Sequence, residues 1–184
     1  MSLLGVAQWL ADTPWSIQLH ESLYGYPIVE SIHVWALCLF VGMSVVLDLR
    51  LTGLTFKTIP VSEITKRILP WTVLGFVVMV ASGLLLFYAI PVRSYQSIFF
   101  RVKLVLLVLA GVNAWVFHSK IYLHLQSWDR DPLPPKPARL AGFTSLALWM
   151  LIIFCGRMIA YNWFDCDKQP QPRIVNTLAG CVVG

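Results

Sequence analysis

Four long apolar runs restrict this chain more than any other feature. They are "PIVESIHVWALCLFVGMSVVLDLRL", "PWTVLGFVVMVASGLLLFYAI", "SIFFRVKLVLLVLAGVNAWVFHSKIYL" and "AGFTSLALWMLIIFCGRMIAYNWF". About 20 such residues cross a bilayer core as a helix. Hydrocarbon offers no partner for backbone N–H and C=O groups, so each run must satisfy its own hydrogen bonds, and a helix does this. The expected fold is therefore all-α: a four-helix transmembrane bundle over residues 27–164, with an N-terminal amphipathic interfacial helix. Composition agrees, at 58% hydrophobic and 12% charged with mean hydropathy +0.71. A soluble domain of this size has no use for so much apolar surface.

Residues 1–26 read as an interfacial segment. They lack the cationic start and small-residue cleavage site of a signal peptide. Leu3, Leu4, Val6, Ala7 and Leu10 make an apolar face, and Trp9 and Trp15 suit the headgroup level. Between the first two spans, "TFKTIPVSEITKR" reads as a connector in which Ser62 caps a short surface helix. The prolines of "QSWDRDPLPPKPARL" separate the third and fourth spans. Residues 165–184 form a polar tail. Cys166 and Cys181 flank it and are able to bridge in an oxidising compartment, whereas Cys38 and Cys155 read as small core residues.

The net charge is +5, but its distribution excludes nucleic acid as the partner, because the basic residues lie between and beside apolar runs. Arg50, Lys57, Lys66, Arg67, Lys120, Arg130, Lys136 and Arg139 follow spans one and three. Arg93, Arg101, Lys103, Arg157, Lys168 and Arg173 lie on the other side. The excess favours cytoplasmic connectors, hence an inner-membrane multi-pass protein with periplasmic termini.

Function is sought in the polar groups that lie at membrane depth, where each must find a partner. His33 lies roughly 9 Å along the first span from Pro27, and His118 roughly 30 Å along the third from Ser97, at a rise of 1.5 Å per residue. The two spans run in the same direction, so the histidines mark an outer and an inner layer. Arg101, Lys103 and Arg157 join the outer layer, and Asp48 and Arg50 the inner. Imidazole for iron, cations for propionates and apolar walls make the inventory of a b-type haem site. The fourth span, taken to Phe164, leaves Arg157 inside apolar sequence, with Glu30 or a propionate as its counter-charge. The expectation is two haems b per chain, on His33 and His118, with His20 and His124 as candidate second axial ligands. Arg101, Lys103 and Arg157 would serve the outer propionates and Arg50 the inner ones. Gly111 would help open the slot at His118. A membrane electron carrier of this kind exchanges with a quinone or a redox protein. Copper is the alternative cofactor, since Met43, Met79, Met150, Met158, Cys38 and Cys155 are soft ligands. A cofactor-free scaffold or assembly subunit is the third reading. No Ser-His-Asp order, phosphate-binding glycine loop or HExxH points to a hydrolase.

The segments "YPIVESIHVWALCLFVG…LDLRLTGL", "PWTVLGF…SGLLLF", "FFRVKLVLLVLAGVNAWVFH" and "SLALWMLIIFCGRMIAY" resemble a family of bacterial four-helix membrane proteins of unknown function, over most of the chain from Trp15 to Tyr161. The wider shape is similar to copper-resistance and haem-synthesis four-helix membrane proteins. What the resemblance implies is haem or metal, and a ring-shaped homo-oligomer as in members that look like haem-binding cytochromes.

Overall fold

The computed structural model describes residues 3–161, 164, 166 and 169–181; Asn162, Trp163 and Lys168 lie outside the described residues. The described chain contains α1 (Leu3–Ala11), α2 (Pro14–Glu21), α3 (Gly25–Thr52), α4 (Val61–Ala89), α5 (Pro91–Gln96), α6 (Ile98–Val116), α7 (Lys136–Ile159) and α8 (Arg173–Ala179). After Val116 the third span continues through a wide π turn, Phe117–Ile121, and a 3-10 segment, Tyr122–Ser127. Four helical stretches, 25–52, 61–89, 98–127 and 136–159, are long and apolar enough to cross a membrane. The fold is the expected all-α membrane bundle.

The local chemistry explains most boundaries. Proline stands in the first turn of α2, α5 and α7, where its missing N–H has no helical partner to lose. Ser97 caps α6 by accepting from the Phe100 N–H. Gly53, at φ 73°, ends α3 in the left-handed conformation that glycine adopts without a Cβ penalty.

Two boundaries differ from the sequence expectation. The second span does not begin at Pro70, because α4 is one helix from Val61 to Ala89 with Pro70 inside it. A proline is tolerated in a membrane helix where neighbouring groups compensate for the lost hydrogen bond. Ser62 is accordingly not a cap supplied by its own side chain. It is the recipient of one: Asp129 accepts from the Ser62 N–H at 2.7 Å and from its hydroxyl at 2.6 Å. That carboxylate sits at the positive end of α4, where it is favoured. The fourth helix ends at Ile159, short of Phe164.

The helices pack in the order α4, α3, α7, α6, and the first and last of these barely meet along their backbones. Their outer ends are bridged by the Phe87 and Phe100 rings, stacked 5.6 Å apart. Close contacts rest on glycine at two places. A Cβ on Gly75 would stand 2.9 Å from the Phe40 nitrogen, and one on Gly142 3.0 Å from the Asp48 carbonyl. The outside is apolar, with Trp35 78% and Trp115 66% exposed, as a lipid-facing surface requires.

Both ends of the bundle are fastened. At the end carrying the two inter-span connectors, Leu51, Val61, Leu125, Trp128 and Ala138 form a buried cluster. At the other end α1 and α2 dock on the second span. Thr13 Oγ1 lies 2.6 Å from the Tyr88 hydroxyl, and the Ser16 hydroxyl donates to the Tyr88 carbonyl at 2.8 Å.

Candidate functional site

His33 is half-buried on the face of α3 that meets α4, and it carries the site. The sequence puts small residues opposite it, Ser82 and Gly83, so the ring can enter the contact. A Cβ on Gly83 would stand 3.1 Å from His33 Cε1. His33 Nδ1 lies 3.0 Å from Ser82 Oγ. The Ser82 hydroxyl has one proton and directs it to the Val78 carbonyl at 2.6 Å, shared with the Met79 carbonyl at 3.2 Å. With its proton so placed, the Ser82 oxygen accepts from the imidazole in the Nδ1–H tautomer. In that tautomer Nε2 is left with its lone pair. A metal-binding imidazole needs this tautomer, fixed by a neighbour to its other nitrogen.

Lys103 of α6 and Cys155 of α7 complete the neighbourhood. The Lys103 charge lies within electrostatic reach of both His33 and Cys155, and its Nζ lies 3.7 Å from where a Cβ on Gly156 would stand. No carboxylate among the described residues forms an ion pair with it. Met79, Cys155 and Met158 are buried in the same half of the bundle. Cys38, expected in the core, is exposed instead, on the lipid side of α3.

The remaining predicted residues are not gathered around His33. Arg101 clasps the C-terminal segment: its guanidinium donates to the Tyr95, Leu178 and Ala179 carbonyls and lies 4.6 Å from the Tyr95 ring centre. The latter carbonyls end α8, and the Cys166–Cys181 disulfide ties the same segment covalently. Arg157 falls in the last turn of α7, exposed, with its guanidinium 5.1 Å from the Tyr161 ring and donating to its hydroxyl. Because α7 ends at Ile159, Arg157 lies in its last turn, where its charge complements the helix terminus. No Glu30 pair with it appears among the described residues.

At the inner end, Arg50 is fully buried and donates to the Ile59 carbonyl at 2.8 Å, the Asp131 carbonyl at 2.9 Å and the Asp129 carbonyl at 3.4 Å. It locks the two connectors together. His118, in the π turn, is exposed and stacks on Tyr122 at 5.4 Å. His124 is exposed in the 3-10 segment. His20 is exposed, edge-on to Tyr26 at 6.3 Å, and lines a separate cavity of about 310 Å³ with Glu21 and Arg93. Gly111 faces open space rather than a partner helix. An apolar groove of about 670 Å³ along α3 and α4 does not include His33.

Sequence reasoning missed Ser82, the hydrogen-bond partner of His33. Its signal was there, a serine beside glycine inside an otherwise apolar run, in "VASGLLLF". Among the described residues no three His, Cys, Asp or Glu side chains cluster as a metal centre.

No curated protein and no solved structure matches the chain. The family of unknown function DUF6644 matches residues 20–162, from the end of α2 to just beyond α7, and the chain belongs to that family.

Proposed function

We propose that the protein is a membrane b-type cytochrome whose haem is held in the outer half of the bundle, with His33 as axial ligand. The observation that carries this is the half-buried imidazole with Nδ1 3.0 Å from Ser82 Oγ, a contact that in the Nδ1–H tautomer leaves the Nε2 lone pair for iron. The donor chemistry fits the group: a neutral imidazole for iron, apolar helix faces for the ring, and Lys103 for a propionate. A haem bound there supplies reversible one-electron chemistry. The chain's own part is to fix the ligand's tautomer, exclude water and offset the propionate charge. Electrons would pass to a quinone or a redox protein at the outer surface. The disulfide among tail residues suits an oxidising compartment, so the termini are taken as periplasmic and the membrane as the inner one. A second haem on His118 would sit on the outside of the chain, and a neighbouring copy in a homo-oligomer would have to close that site.

One observation favours a second reading. Met79, Cys155 and Met158 are buried in the same half of the bundle as His33, a donor set that suits Cu(I). Haem and copper contents per chain, measured on one dialysed sample, separate the two. The haem reading expects about one haem per chain from the His33 site and no stoichiometric copper. Stoichiometric copper without haem would replace it, and neither cofactor would leave a scaffold.

A further inference from the structure

The connector half of the bundle holds a second space that the haem reading does not use, walled mostly by apolar side chains with a few polar groups among them. It is a cavity of about 240 Å³ to which all four spanning helices contribute. Asp48 lines it, 94% buried by the complement of its 6% exposure. Ser145 of α7 lines the same cavity near the carboxylate. One carboxylate oxygen, Oδ2, has no partner. Such a group is costly in an apolar interior unless its charge is answered.

Among the described residues no cationic side chain lines its walls. The hydroxyl protons of Ser44, Thr65 and Thr72 are spent on the carbonyls one turn back, those of Phe40, Val61 and Ile68, at 2.9, 2.8 and 2.9 Å. Asn113 directs its amide N–H to the Ala141 carbonyl at 3.0 Å, which leaves its oxygen free. The cavity thus holds a few oxygen acceptors among mostly apolar walls, and one buried carboxylate oxygen without a partner. No lysine, arginine, histidine or second acid stands in the walls contributed by α4, α6 or α7. On α3 itself the nearest cation is Arg50, which is turned away onto the connector carbonyls. A space with several acceptors and one negative charge is complementary to a small positive ion.

We propose that this cavity is an exchangeable binding site for one small monovalent cation, taken up on Asp48 as a proton or as an alkali ion. Ser44, Thr72 and Asn113 line the same cavity and carry oxygens, the ligand type that hard cations take. The proposal does not depend on haem and holds for a colourless protein equally.

Infrared difference spectroscopy on the full chain in lipid nanodiscs tests it. Spectra are taken across a pH series in choline buffer, then with sodium replacing choline at constant ionic strength. The proposal expects a protonated-carboxyl C=O band that is lost as pH rises, is absent from Asp48→Asn and shifts in Ser145→Ala. The second variant keeps the assignment available if the first fails to fold. If added sodium also removes the band at fixed pH, the alkali ion is a ligand; if only base removes it, the ligand is the proton. A carboxyl signal indifferent to both pH and sodium describes a locked group and overturns the proposal.

Discussion

Replacing Arg50 with methionine keeps much of its length but removes every donor, and it strands the Ile59 and Asp131 carbonyls, while the Asp129 carbonyl keeps the Val61 N–H. Hydrogen bonds to a charged group contribute about 1.5–3 kcal/mol each, though not additively. A loss of roughly 3 kcal/mol or more is expected, read as a lowered melting temperature in detergent, with Arg50→Lys only a partial rescue because an ammonium lacks the planar fork. Ser82 makes a different prediction, about affinity rather than stability. Removing a partner that orients a metal-binding imidazole typically costs about 10–100-fold in affinity. Ser82→Ala should therefore weaken haem retention by at least about 10-fold against a haem scavenger, while the helices stay folded. Unchanged retention would mean that the Ser82 contact is only a packing contact. His33 was legible as a residue in need of a partner. That partner was not, because a serine in an apolar helix bonds its own backbone by default, and only the packing of α3 on α4 gives it a second use.

Two glycines separate helix contact from open surface. Gly75→Ala would put a methyl group 2.9 Å from the Phe40 backbone nitrogen, which cannot yield without moving α3. Gly111→Ala meets nothing within 4 Å. Thermal unfolding should show a clear loss for the first and none for the second, since alanine is the better helix former by about 1 kcal/mol. The sequence could not distinguish these positions, because a small residue signals close approach only when a neighbour is known. It also placed the start of the second span one proline too late, for the N-terminal turns of α4 owe their cap to Asp129 on a distant connector. The C-terminal segment belongs to the same scale. α8 is held by Arg101 and by the disulfide, and by little of the bundle's apolar core. Reduction combined with Arg101→Gln should expose residues 173–179 to limited proteolysis while the spanning helices remain protected.

For the molecule as a whole, apolar length and charge distribution made the four-span fold readable, since a bilayer leaves a chain few alternatives. The site was readable only by layer. Depth along a helix follows from counting residues, and it put His33 in the outer half. Direction around the helix did not follow: the π turn rotates His118 outward, and the early end of α7 leaves Arg157 in its last turn. The result is a bundle with two unlike halves, one built around a ligand-ready imidazole and one around an unanswered carboxylate. The first half carries the central claim. The dithionite-reduced minus oxidised absorption spectrum of the native protein, beside those of His33→Ala and His118→Ala, tests it most directly. Sharp b-type haem bands are expected in the native protein and in His118→Ala, and their loss in His33→Ala. Bands that survive His33→Ala, or a native protein without any after expression with ample haem, would contradict it.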